Sequence, residues 1–208
     1  MVNFLAHLKA FLTASPVIIA LMGMNSLFYL QFATPASAQD GGGQMGVTAR
    51  GAGIDDLLAL LATPDLAAWE DVEAKIRVEW ARSGSHSVDL LLKRALDALE
   101  AGEGQAALEH ATAMTDHAPD FAEGWNTLAK AYFQAGYYGP ALDALQRTIA
   151  LNADHYEAFA GLGTILGDLG DEDAALQAFR ASAAIHPHQP HISATINELE
   201  ARTGGEKI

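Results

Sequence analysis

Residues able to do chemistry cluster at a few places in this chain. His186-Pro187-His188-Gln189-Pro190-His191 brings three imidazoles into six positions, and neutral imidazole is a ligand for zinc, copper or nickel. The prolines impose extended geometry on the residues before them, and neither cysteine nor a neighbouring carboxylate completes a ligand set. His186, His188 and His191 are therefore metal candidates set against the plainer reading of a solvated polar connection, and no cofactor is expected. Gly161-Leu162-Gly163-Thr164-Ile165-Leu166-Gly167 imitates a dinucleotide-binding loop. That chemistry needs its glycines in a strand-to-helix turn. Here they fall within a helical pattern, where Gly163 reads as a packing residue. His110 and His117, seven apart, share a helix face without further partners.

Two more clusters have structural readings. Ser83-Gly84-Ser85-His86-Ser87 sets hydroxyls beside an imidazole but lacks a nucleophile elbow, so it reads as a turn in which Ser87 caps the next helix. Asp171-Glu172-Asp173 is followed by no calcium loop and reads as the acidic opening of a helix, favoured by the helix dipole. With no H-E-x-x-H and no phosphate loop anywhere in the sequence, catalysis is not expected.

The 208 residues include no cysteine, so no disulfide framework and no Cys-ligated metal is available. Twelve Lys and Arg against 26 Asp and Glu give a net charge of −14, which argues against a phosphate-tracking nucleic-acid binder. The charge is not evenly spread. Residues 1–38 hold Lys9 and no acidic residue, leaving 11 basic against 26 acidic side chains, a balance of −15, from residue 39 onward. A weakly positive start, a mostly apolar run from Phe11 to Phe32 and Ala36-Ser37-Ala38 together form the order of a secretory signal peptide, with cleavage after Ala38. An uncleaved anchor is the alternative, because such a run is long enough to span a bilayer, and it is the one route to a membrane. The expected location is outside the cytoplasmic membrane, in a bacterial periplasm. Residues 39–53 are glycine-rich, without apolar periodicity, and read as a flexible linker.

Beyond the linker the elements are helical. An apolar stripe of Leu66, Trp69, Val72, Ile76 and Trp80, opened by Thr63-Pro64-Asp65, predicts a helix, preceded by a shorter one around Asp55 to Leu61. Ile192, Ile196 and Leu199 predict a last helix ending at Gly204-Gly205. Between these flanks the chain repeats itself every 34 residues: Gly102, Gly136 and Gly170; Ala107, Ala141 and Ala175; Leu108, Leu142 and Leu176; Pro119, Ala153 and Pro187. In the front half of each unit Ala95, Ala129 and Gly163 align, and Trp125 and Phe159 match in the last two. Gly136 and Gly170 follow the first helix of their units, where a left-handed cap favours glycine.

This pattern resembles the tetratricopeptide repeat (TPR). The resemblance implies an all-α solenoid of helical hairpins with three units over 88–189: a degenerate 88–121, in which Leu91 and Arg94 stand for the aromatic and leucine, then 122–155 and 156–189. Residues 54–87 and 190–208 are expected to cap its ends, as stacked arrays require. It further implies a concave groove lined by the first helix of each unit, at positions that are here Glu123, Asn126, Lys130, Phe133 and Gln134, then Glu157, Ala160, Thr164 and Asp168. Asn126 and Lys130, four apart, are placed to hold a peptide carboxylate, but Glu157 and Asp168 replace further basic residues, so a carboxylate clamp is incomplete. The expectation is an exported, non-catalytic module binding a protein or peptide, with a basic or extended segment suited to its acidic face. The alternatives are an assembly scaffold of the cell envelope, self-associating or membrane-tethered, and a metal-binding accessory protein using the histidine loop.

Overall fold

The computed structural model describes residues 53–205; the expected leader and all of the expected linker but Gly53 lie outside the described residues. Among the described residues there are nine α-helices and no strand. A hairpin of α1 (Ile54–Leu61) and α2 (Trp69–Trp80) precedes three helix pairs. These are α3 (His86–Glu100) with α4 (Gly104–His117), α5 (Ala122–Gln134) with α6 (Tyr138–Leu151), and α7 (Tyr156–Asp168) with α8 (Glu172–Ile185), followed by α9 (Pro190–Gly205). Each pair packs on itself and on the next, and α9 packs on α8, which makes an all-α TPR-type solenoid.

The 34-residue period has a local physical cause. Gly102, Gly136 and Gly170 sit at φ 72°, 78° and 79°, a left-handed conformation that costs glycine no Cβ clash. At each, the residue after the glycine donates its N–H to the carbonyl five residues back: Glu103 to Ala98, Tyr137 to Tyr132 and Asp171 to Leu166, at 2.8, 2.8 and 2.9 Å. The glycine N–H itself bonds the carbonyl three residues before it. This is a Schellman cap repeated in register, ending the first helix and reversing the chain into the second. The Asp171 carboxylate then accepts from the Ala174 N–H at 3.2 Å, capping α8.

Apolar stripes of successive helices meet in shared clusters. Val88, Leu92 and Ala95 of α3, Ala111 and Met114 of α4 and Leu128 of α5 are buried together. The degenerate first unit packs like its neighbours: Leu91 lies against this cluster and Arg94 is exposed. Phe121, Trp125 and Tyr132 close the cluster's edge, and the Trp125 indole donates to the Pro119 carbonyl at 2.9 Å. Between α8 and α9 the buried Gln189 amide donates to the His186 carbonyl at 2.8 Å and to the Ser182 hydroxyl at 3.1 Å. That hydroxyl donates in turn to the Tyr156 carbonyl at 2.9 Å.

Two local expectations change. Thr63-Pro64-Asp65 does not open α2: Asp65 has φ 61° and the helix begins at Trp69, because the left-handed residue turns the chain before the helix starts. Ser87 is not the cap of α3, whose flanking residue is Ser85. Instead the Asp89 carboxylate reaches back and accepts from the backbone N–H and hydroxyl of Ser83 at 2.9 and 2.6 Å.

The glycine-rich stretch within α7 is a packing device. A Cβ on Gly163 would stand 2.8 Å from the Phe179 ring, and Phe179 is itself buried in α8, so the close approach of α7 and α8 depends on a missing methyl group. Gly163→Ala should destabilise the fold by about 1 kcal/mol in urea unfolding, overpacking outweighing alanine's higher helix propensity. In a Phe179→Leu background, where the ring is gone, the same substitution should stabilise by a similar amount.

Candidate functional site

The hairpin of α1 and α2 buries Leu57, Leu61, Val72 and Ile76. The face of α2 carrying Trp69, Glu73, Arg77 and Trp80 meets the repeats, and it meets them along the helices expected to line the groove. The Trp80 ring stacks on His155 with centroids 4.4 Å apart and 19° between planes, and lies 5.2 Å from Tyr156. One turn back, Arg77 Nη2 reaches Glu157 Oε1 at 3.1 Å and Glu73 at 3.0 Å. The Tyr156 hydroxyl donates to Glu73 at 3.4 Å. At the start of α2, Trp69 stacks on His188 at 5.9 Å and 7°, and lies 5.4 Å from His186. Just before the helix, His188 Nε2 lies 2.9 Å from the Thr63 carbonyl; a carbonyl only accepts, so this nitrogen carries the proton. Aromatic pairs contribute about 0.5–1.5 kcal/mol each, and a part-exposed ion pair such as Arg77–Glu157 about 1 or less.

Carboxylates and cations from three helices, α2, α5 and α7, converge here. Lys130 Nζ lies 2.7 Å from Glu157 Oε2 and 4.0 Å from Glu123. Burial would strip the Lys130 charge, but the two carboxylates outweigh it and raise its pKa. Burial would likewise raise the Glu157 carboxyl, yet Lys130 first and Arg77 next hold it at about 2. His155, fully buried, accepts from the Ala158 N–H through Nδ1 and faces Glu123 Oε2 through Nε2 at 2.9 Å. An accepting Nδ1 puts the proton on Nε2, so this imidazole is neutral and donates to Glu123. His186 differs: it is 1% exposed, neither ring nitrogen has a hydrogen-bond partner, and Glu73 stands 3.6 Å from Nε2. Burial pushes the His186 pKa down, against the pull of Glu73.

Apart from Ala160, which borders a cleft with Trp69 and Glu73, the residues expected to line the groove divide into three groups. Asn126, Lys130 and Phe133 of α5 and Glu157 and Thr164 of α7 share one pocket of about 120 Å³, floored by Ala129, Leu145, Gly161 and Ile165. Glu123 lines a neighbouring cleft of about 310 Å³ under α2, with Arg77, Trp80, Leu92 and Leu96. Gln134 and Asp168 are engaged elsewhere: the Gln134 amide donates to the Leu99 carbonyl at 3.3 Å, and Asp168 accepts from the Tyr138 hydroxyl at 3.4 Å. Lys130 is bound by two carboxylates, so it offers no free charge to a peptide carboxylate. The histidines at 186, 188 and 191 border a third cleft of about 400 Å³ with Trp69 and Glu73. Among the described residues no group of three or more His, Asp or Glu is arranged to hold a metal ion.

The i, i+4 spacing of Glu73 and Arg77 reads as an ion pair on the outer side of its helix; the pair forms, but it faces the third repeat, and His155 and Tyr156 were not singled out from the sequence. The Trp69-Glu73-Arg77-Trp80 face is legible as one helix side, but nothing in the spacing shows that it lies against the third repeat.

The ionisations carry a pH dependence. An imidazole whose folded pKa lies below its ordinary 6.5 takes up protons first in the unfolded chain, so the stability it contributes is complete above pH 6.5 and shrinks below it. The Glu157 contribution is complete above its unfolded value of 4.5 and is lost as pH falls toward about 2. Denaturant unfolding across this range should show both losses. His186→Phe should remove the upper one. Glu157→Gln should shrink the lower one while costing about 1–3 kcal/mol at pH 7, because Lys130 loses its nearest counter-charge.

Comparisons with known proteins agree on architecture. The family model described as tetratricopeptide repeat matches residues 98–166. A TPR repeat-containing protein of Rhizobium etli is 28% identical over 144 residues, covering 69% of this chain and 70% of that protein. The structure of MamA is similar with a TM-score of 0.54 at 25% identity, over 65% of this chain and 80% of MamA. The first TPR of Spaghetti (RPAP3), bound to the HSP90 peptide SRMEEVD, is similar with a TM-score of 0.54 at 16% identity, over 56% of this chain and 93% of that one. The described residues are thus an all-α, TPR-type helical solenoid whose repeats carry the tetratricopeptide match over 98–166.

Proposed function

We propose that this chain is a non-catalytic interaction module that takes a segment of a partner protein in the pocket between α5 and α7. The observation that carries the reading is Asn126. Its side chain is buried, its amide nitrogen is within 3.3 Å of Glu123, and its carbonyl oxygen has no partner. A buried acceptor left open costs free energy unless a donor arrives. Beside it lie Ala129, Leu145, Gly161 and Ile165, with the half-exposed Phe133 ring at the rim. An oxygen acceptor beside a small apolar pocket suits a backbone N–H flanked by a branched aliphatic side chain. The bound peptide of the RPAP3 domain supports the same use of a TPR-type groove. With Lys130 already paired, the occupant is an internal segment of the partner rather than a free C-terminus, and the −15 balance beyond the leader suits basic residues on its flanks.

We infer further that residues 1–38 direct export and are removed after Ala38, a reading that rests on the sequence order of the leader. N-terminal sequencing of protein recovered from the envelope should begin at Gln39; a chain beginning at Met1 in membranes overturns it. For the groove, Thr164→Phe and Phe133→Ser alter the pocket without touching the ion pairs. Co-purification with each variant, its helicity checked by circular dichroism, should lose the partner seen with the parent chain. An unchanged partner set overturns the pocket as the binding site.

A further inference from the structure

The helix that lies across the groove is itself a statement of what the groove accepts. Helix α2 presents Trp69, Glu73, Arg77 and Trp80 on one face, at positions i, i+4, i+8 and i+11. Every side-chain contact described above between this hairpin and the third repeat runs through that face, apart from the Thr63 carbonyl just before it. The fit is incomplete on both flanks. Clefts of about 310 and 400 Å³ open beside α2, Val78 is left 53% exposed, and the His186 ring behind Trp69 has two buried nitrogens without partners. The hairpin holds its own apolar residues between α1 and α2, so it can leave the groove without losing that small core. Its connection to α3 is the short turn at residues 81–85.

We propose that α2 is an internal ligand of the concave groove, displaced by an amphipathic partner helix that repeats its pattern of aromatic, carboxylate, cation and aromatic on successive turns. The partner's aromatics would take the places over His155 and His188, and its cation the place beside Glu157. A donor on the same helix, reaching past the first aromatic, would satisfy the unprotonated ring nitrogen of His186, to which α2 gives no hydrogen bond. This rests on the reading of the concave face as a partner site and adds the partner's form and the rule that it must compete with α2.

The chain has no cysteine, so two introduced thiols can be spin-labelled specifically. In Lys75→Cys with Gln177→Cys, on exposed positions of α2 and α8, the full chain alone should give one narrow distance distribution. Adding a synthetic peptide of residues 66–82 should transfer population to a different, broader distribution. The same peptide with Trp69→Ala and Trp80→Ala should not. In parallel, the full chain carrying Trp69→Ala and Trp80→Ala should bind the dye-labelled parent peptide at least tenfold more tightly than the unsubstituted chain, because its own helix no longer competes. Arg77→Glu, which leaves the buried face of the hairpin intact, serves as a second release variant and should give a smaller gain in the same direction. Equal affinities for parent and released chains, or a label distance that the peptide does not move, overturns the proposal. A concentration-dependent dimer with label distances between copies assigns the occupant to a second chain and overturns it as well. The readouts use purified chain and peptide alone, so this proposal can fail while Thr164→Phe still abolishes co-purification, and the two failures remain distinct.

Discussion

Glu157 joins three parts of the molecule that the chain visits far apart. One carboxylate oxygen holds Lys130 of the second repeat and the other holds Arg77 of the amino-terminal hairpin, while its backbone opens the third repeat. A carboxylate in this position has lost much of its water, and burial alone would favour the neutral acid. The two cations reverse that, and the group stays charged because both are present. The arrangement is reciprocal: Lys130, itself desolvated, keeps its proton because Glu157 and Glu123 face it. Buried charge of this kind adds little net stability over apolar packing, but it penalises any arrangement that separates the partners. It therefore specifies where α2 lies more than it strengthens the fold.

The repeats themselves were legible because their period is written in residues whose backbone or volume requirements are local. A glycine every 34 residues marks a left-handed cap, and that conformation needs no knowledge of the rest of the chain. The small residue at 163 could be read as a helix-packing position for a similar reason: its neighbours at helical spacing are apolar, and a phosphate loop would need a strand before it. Even the degenerate unit followed, since Val88, Leu92 and Ala95 preserve the stripe that Leu91 and Arg94 obscure. The beginning of α2 was misplaced because a proline near a good capping residue signals a helix start, and the signal says nothing about Asp65 turning the chain first.

The groove was harder to read, for a reason of geometry. The residues that line it were placed by analogy with the repeat, and five of them do share a pocket. What occupies the adjoining space could not be read. Hydrophobic periodicity reports which side of a helix is apolar, and α2 has an apolar side buried within its own hairpin as well as the mixed Trp69-Glu73-Arg77-Trp80 side. A mixed face of two indoles and two opposite charges reads as surface when its partners are unknown. Those partners, His155, Tyr156, Glu157, His186 and His188, stand in two short stretches around the third repeat, and in sequence they look like a repeat boundary and a polar connector.

The span of these contacts has a consequence for how the chain acquires its shape. Most of the molecule is built from neighbours: each repeat closes on itself and stacks on the next, so structure can accumulate in step with synthesis. The bond between Tyr156 and Glu73 crosses 83 residues, and that between His188 and Thr63 crosses 125. The first helices to emerge must therefore wait for the last repeat before they find their seat, and closing so long a loop is entropically slower than adding another hairpin. A nascent chain passes through an interval in which its repeats are assembled and its concave face is bare. In that interval the places that will hold Trp69, Arg77 and Trp80 stand open to solvent, and the hairpin reaches them only after the connector carrying His186 and His188 has been made.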